Sequence, residues 1–319
     1  MKIINIPKKY ALEDYNKAIN KQVECLSEID EVKSIYQIGG VSTPGISDID
    51  LVVVFEDHYN FNLNPRSNNS DTANYLFTHG LYGASEKYFN EGLKFTFFHN
   101  YKLLHGENLD LNNTTKIADQ VILKKQIALE FLFKMYVNLM IQKSYKTINL
   151  RSLFLHIKAL PYDFEFLNIQ PKELIVLVNQ GVSLRNNWLD GTVSKNDIIH
   201  WFRQFYDEFE SFLINLFKEY TMYASALQFK IAPNVEICNA NNLGFSKKGF
   251  VFPDLFNMLD KKYFKALNKF NDFIIDVPLK TDAPSIVKDY FSYADEVGNY
   301  NKLHLPHFMT LTSSLKVYK

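Results

Sequence analysis

The sequence predicts an α/β (α+β) protein in two parts: an N-terminal domain around a small mixed sheet, then a mainly α-helical C-terminal domain with a small β insertion. Three observations lead there. Before Asn112-Asn113, apolar runs rich in β-branched residues alternate with stripes that step by three and four. Beyond it, helical spacing recurs through most of the chain. Within that helical part, residues 228 to 253 break into short β-like runs separated by turn signals. The boundary falls near residue 114, giving domains 1–113 and 114–319.

Residues 11 to 30 place Leu12, Tyr15, Ile19, Val23 and Leu26 on one helix face. Residues 34–38 read as a short strand ended by Gly39-Gly40, and Ile49 to Phe55 as a buried strand. The Asn-rich stretch from Asp57 to Asn69 is a loop. A weaker helix is expected over 71–90, interrupted by Gly80 and Gly83, and a third strand over Leu93 to His99. Helices follow at 117–143, 149–160, 172–188, 195–224, 260–275 and 284–298. Phe229–Ile231, Val235–Ile237 and Gly249–Phe252 are the β-like runs, and a small hairpin is expected among them.

Lys plus Arg and Asp plus Glu each number 35, so the formal net charge is zero. That balance argues against one long nucleic-acid-binding surface. With 47% apolar and 15% aromatic residues the chain folds rather than staying disordered. Its apolar runs fall short of the roughly 18 residues a membrane span needs. The first thirty residues lack a signal peptide's apolar core, so a cytoplasmic protein is expected. Cys25 and Cys238 are too few and too far apart for a disulfide framework or a metal site.

The informative segment runs from Ile38 to Val54. Asp48 and Asp50 are two apart at the start of a strand, so both side chains leave one face. Carboxylates about 7 Å apart on one face repel unless a cation sits between them. Hard oxygen ligands of that kind suit Mg²⁺ (or Mn²⁺), which fills its other positions with water and phosphate oxygens. Just upstream, Gly39 and Gly40 let the backbone approach a bulky anion, and Ser42 and Thr43 offer hydroxyl donors. An anion cradle followed by a metal-binding pair is equipment for a nucleoside triphosphate.

An apolar strand, the turn Gly39-Gly40, a seven-residue connection and Ser47-Asp48-Ile49-Asp50-Leu51 opening the next strand resemble the nucleotidyltransferase superfamily of the DNA polymerase β type. The likeness is greatest to its aminoglycoside and minimal nucleotidyltransferase branch, and it covers roughly the first 112 residues. It implies attack by an acceptor hydroxyl on the α-phosphate of a nucleoside triphosphate, pyrophosphate leaving. Asp48 and Asp50 would hold the metal ions and Gly39, Gly40, Ser42 and Thr43 the phosphates, with a small molecule or a protein as acceptor. Active relatives carry a third acidic residue on a later strand. The expected strand from Leu93 to His99 has no Asp or Glu, which leaves Thr96 or His99 for the position opposite the pair, with Glu56, Glu91 and Glu107 as outlying acids. A nucleotide-binding or interaction protein without transfer, or a toxin–antitoxin-type module, is the alternative.

Two weaker signals lie further along. Arg151 and His156 match the Arg-x4-His spacing of the helical HEPN ribonucleases, which accompany minimal nucleotidyltransferases. Lys124-Lys125 opens the first long helix of a C-terminal domain expected to clamp nucleotide and acceptor, within reach of a triphosphate.

Overall fold

The computed structural model describes residues 1–97, 100–248 and 267–312. The chain is a mixed α/β protein with small mixed sheets. Its first part contains β1 (Lys2–Ile4), α1 (Leu12–Ser27), β2 (Val32–Ile38), β3 (Asp50–Phe55), α2 (Asp71–Leu76), β4 (Tyr82–Ser85), α3 (Glu86–Gly92) and β5 (Tyr101–Gly106). Then come α4 (Ile117–Ser144), β6 (Thr147–Asn149), α5 (Leu150–Ile157), α6 (Leu160–Leu167), α7 (Lys172–Asn187) and α8 (Lys195–Glu219). The remainder holds β7 (Met222–Tyr223), β8 (Gln228–Ala232), β9 (Val235–Asn239), β10 (Gly244–Lys248), β11 (Asp272–Val277), β12 (Leu279–Lys280) and α9 (Ser285–His304).

Two compact units result. One is Lys8–Gln120 with Lys288–Ser314, and the other is built on Met1–Pro7 and Val121–Val287. The expected boundary near residue 114 lies close to the division at Gln120. Two segments far from it, β1 and most of α9, go with the unit that a linear cut would not give them.

The unit containing Asp48 and Asp50 is built on a sheet of order β4-β3-β2-β5. β2 runs antiparallel to β3 and β5, while β4 runs parallel to β3. The alternation of β3 explains why it is buried on both sides. Leu51, Val53 and Phe55 enter a core with Tyr15, Ile19 and Leu26 of α1, and Val52 and Val54 enter a second core with Phe89. Each such side chain stabilises the fold by roughly 1.5–3 kcal/mol on burial. Leu12, expected on the same face of α1, is half exposed instead.

Three readings of the sequence are corrected. Residues 71–90 are not one helix: α2 stops at Leu76, and Tyr82–Ser85 forms β4. Gly83 explains the break. A Cβ there would lie 2.7 Å from Phe308, so this strand passes a packed ring too closely for any side chain. Leu93 to His99 is not the third strand. The Ser85 hydroxyl accepts from Tyr88 N–H and starts α3, and Leu93, Lys94 and Phe95 close turns behind it. Leu93, Phe95 and Thr96 are buried by packing rather than pairing, with Phe95 against Tyr290 and Tyr293, and the strand forms at Tyr101–Gly106. His99 lies outside the described residues. Finally, Asp272–Val277, the end of the expected helix 260–275, is β11, whose β-branched Ile274, Ile275 and Val277 pair with β9 and β10. Residues 249–252 and 260–266 of the sequence reading lie outside the described residues.

After α9 the chain returns to the sheet. Met309 N–H donates to Leu81 carbonyl (2.8 Å) and Gly83 N–H donates to Met309 carbonyl (2.9 Å), while Asn301, still within α9, donates to Gly83 carbonyl (2.9 Å). This extended segment covers the otherwise open edge of β4.

In the other unit, β8 and β9 form an antiparallel hairpin within a sheet of order β10-β11-β9-β8, its turn lying before the Asn241-Asn242 signal. Helices α7 and α8 meet where Gly181 admits the Trp201 ring, whose Nε1 donates to Leu177 carbonyl (2.8 Å). No helix among the described residues is long and apolar enough to cross a membrane.

Candidate metal centre

The site forms at one end of β2 and β3. Gly39 and Gly40 leave β2 exposed to solvent, and Gly39 adopts φ +68°, a conformation that glycine takes without strain. A Cβ on either glycine would meet nothing within 4 Å, so the space before this turn is open.

The connection to Asp48 is held from beneath. The Tyr15 hydroxyl of α1 donates to Ser47 carbonyl (2.6 Å) and accepts from Gly45 N–H (3.0 Å). The Tyr75 hydroxyl of α2 donates to Gly45 carbonyl (2.7 Å). Ser47 Oγ accepts from Thr43 N–H (3.1 Å), and Ser47 N–H donates back to Thr43 carbonyl (2.9 Å). Ile49 N–H then donates to Leu76 carbonyl (3.1 Å). These bonds fix the backbone on both sides of Asp48. The Ser42 residue is exposed and Thr43 half-buried, both on the solvent side of this connection.

Asp48 precedes β3 and Asp50 begins it, opposite Ile38 of β2. The structure brings a third residue to them that the sequence reading missed. His79, between α2 and β4, places Nε2 at 3.1 Å from Asp50 Oδ1 and 3.8 Å from Asp48 Oδ2. Each of the three side chains offers a ligand atom within 4.8 Å of the others. They are 22% (Asp48), 31% (Asp50) and 33% (His79) exposed, open enough for a ligand to enter and buried enough for their charges to matter. Apart from the ion pair, Asp50 Oδ1 is buried and has no hydrogen-bond partner among the described residues.

The ion pair with Asp50 holds the His79 imidazole protonated, raising its pKa to about 9 against the opposing effect of burial. Its Nδ1 lies 3.0 Å from Gly80 carbonyl. The ring stands edge-on to Tyr82, whose hydroxyl is pushed well above its ordinary range by burial and then by Asp50 and Asp48. Arg66 secures the backbone under His79, donating to the carbonyls of His79 (2.6 Å) and Phe77 (2.9 Å). Asp48, Asp50 and His79 together could hold a metal ion.

No protein-family model, curated protein or solved structure matches the chain. The site's own chemistry therefore carries the functional argument.

The residues expected around the pair distribute as follows. Thr96 is buried, with its hydroxyl acting on the Tyr101 hydroxyl. Glu86 and Glu107 gather at Lys33, at 2.6 and 4.0 Å, with Glu56 close enough to act on its charge. Lys33 is at the far end of β2 from Ile38, roughly 16 Å away along an extended strand. Glu91 acts on Tyr293. Among the described residues the third member of the group at Asp48 and Asp50 is a histidine, and no third carboxylate joins it.

The remaining signals lie in the helical part of the chain. Arg151 is buried in α5, and His156 Nδ1 lies 2.6 Å from Ser152 carbonyl of the same helix. The Lys124 ammonium stands over the Phe166 ring at 5.3 Å.

Proposed function

We propose that the chain is a divalent-metal-dependent nucleotidyltransferase that moves a nucleoside monophosphate from a nucleoside triphosphate to a hydroxyl on a small molecule or a protein. The observation carrying this reading is the placement of Asp48 and Asp50 together beside the open Gly39-Gly40 turn, their negative charge only partly offset by one ion-paired histidine. Asp48 and Asp50 would hold the cation, which when bound stabilises the attacking and leaving oxygens. Gly39 and Gly40 give the phosphates access to the backbone, and Ser42 and Thr43 supply hydroxyl donors. Tyr15 and Tyr75 hold the connection so that neither carboxylate has to be reorganised when the ligand arrives.

A second reading has one observation in its favour. With histidine as the third member, no carboxylate among the described residues joins the pair to take the acceptor's proton. A protein that binds triphosphate and metal without transferring the nucleotide, or that acts on a partner protein in a toxin–antitoxin-type module, fits that composition.

Incubation with α-labelled nucleoside triphosphates and Mg²⁺ or Mn²⁺, with and without cell extract, separates these. Transfer of label that Asp48→Asn and Asp50→Asn both abolish supports the transferase. Metal-dependent nucleotide binding without transfer supports the second reading. Loss of neither binding nor transfer in the two variants overturns both.

A further inference from the structure

We propose that His79 is the third ligand of a divalent-cation site with Asp48 and Asp50, and that its nitrogen makes the site select Mn²⁺ over Mg²⁺. The inference rests on the reading of these aspartates as metal ligands and adds the identity of the ion.

Four observations carry it. Ligands at right angles about an ion with bonds of about 2.1 Å stand about 3 Å apart, and opposite ligands about 4 Å. The Nε2 distances of 3.1 Å to Asp50 and 3.8 Å to Asp48 fall in that range, and the three ligand atoms all lie within 4.8 Å of one another. The Nδ1 atom lies 3.0 Å from Gly80 carbonyl, so Nδ1–H donates there and Nε2 is left to face the carboxylates. A backbone carbonyl behind the distal nitrogen is the usual outer partner of a metal-bound histidine, because it fixes the tautomer and the ring plane. The backbone below the ring is itself fixed by Arg66, through the carbonyls of His79 and Phe77. Lastly, Asp50 Oδ1 is buried with the His79 ion pair as its one polar contact among the described residues, a lone pair that a cation would satisfy.

On binding, the metal takes the place of the Nε2 proton, which passes to solvent. Two carboxylates and a neutral imidazole then balance the 2+ charge. Mg²⁺ takes oxygen ligands almost exclusively, whereas Mn²⁺ accepts imidazole together with carboxylate and phosphate oxygens in an octahedral set. Zn²⁺ also takes imidazole but settles into four-coordinate sites, leaving less room for triphosphate oxygens and water.

Electron spin-echo spectroscopy of Mn²⁺ bound to the full chain, with a non-hydrolysable adenosine triphosphate analogue present, tests this directly. A nitrogen coupling is expected that changes isotope pattern on ¹⁵N-histidine labelling and disappears in His79→Gln. Calorimetry should show Mn²⁺ preferred over Mg²⁺ by about tenfold or more in the wild type, and the preference should shrink in His79→Asp. Mn²⁺ binding without a histidine coupling in the wild type would overturn the inference while leaving the two-carboxylate site intact. Binding of neither metal, with or without the analogue, would overturn the parent reading as well.

Discussion

The Tyr15 hydroxyl bonds to both sides of the bend before Asp48 and Asp50, donating to Ser47 carbonyl at 2.6 Å and accepting from Gly45 N–H at 3.0 Å. One buried side chain of α1 thus sets where Asp48 begins. Tyr15→Phe keeps the ring in the core and leaves two buried backbone groups without this partner. It should lower stability by about 1–3 kcal/mol in chemical denaturation. It should also weaken Mn²⁺–nucleotide binding measured well below the melting temperature. Unchanged binding in the variant would show that the bend holds its shape without the tyrosine.

At the turn itself the two glycines should behave differently. Gly40 has ordinary backbone angles and open space where a Cβ would stand, so Gly40→Val should leave the melting temperature nearly unchanged. The added methyls would project toward the place assigned to phosphate, and triphosphate affinity should fall by about tenfold or more in calorimetry. Gly39→Val should destabilise as well, by roughly 1–2 kcal/mol, because φ +68° is strained for a β-branched residue. Equal triphosphate affinity in Gly40→Val and the wild type would remove the anion cradle from the argument.

Gly83 and Phe308 offer a test of the sheet edge. A Cβ at Gly83 would lie 2.7 Å from Phe308, so Gly83→Ala should destabilise by about 1–3 kcal/mol. Removing the obstructing ring should recover part of that loss, so Gly83→Ala combined with Phe308→Ala should be less destabilised than the sum of the single variants. Strict additivity in thermal unfolding would contradict the packing described.

Asp163 provides a pH dependence of its own. It is buried in α6, its Oδ2 has no hydrogen-bond partner among the described residues, and burial raises its pKa to about 8. The raised value means that the folded state keeps the proton longer than the unfolded state does. Asp163 therefore leaves stability untouched below pH about 4. Its contribution falls as pH rises toward 8, with a slope of up to about 1.4 kcal/mol per pH unit, and levels off above. Asp163→Asn should flatten that decline in urea titrations at pH 4, 6 and 8, and should be the more stable protein at pH 8. Parallel pH curves for variant and wild type would contradict it.

The parts of the site that could be read in the sequence are those whose signals are local. The stripe of Tyr15, Ile19 and Leu26, the run from Leu51 to Phe55 and the Gly39-Gly40 break all follow from spacing over a few residues, and each appears in the structure. His79 has no such signature. It stands in a loop without periodicity and reaches Asp50 because β4 pairs parallel to β3, a non-local pairing made by a strand of only four residues. A parallel neighbour that short, containing Gly83, reads as a helix break. The error at Leu93–His99 has a different cause. Buried apolar residues in a packed turn and in a strand look alike when the run is short, and the hydrogen bonds of Ser85 that start α3 lie outside it.

The segment that closes the edge of β4 has a consequence for how this half of the molecule is made. Asn301 and Gly83, joined by a hydrogen bond, are 218 residues apart in the chain. During synthesis from the N-terminus, the strand beside His79 is translated long before its last partner leaves the ribosome. Loop-closure entropy for such distant contacts must be met before they give anything back. The edge of β4 can therefore be closed only after almost the whole described chain has been released. Until then β4 is an unprotected sheet edge, and nascent or truncated chains ending before α9 are the forms most exposed to aggregation and to capture by chaperones.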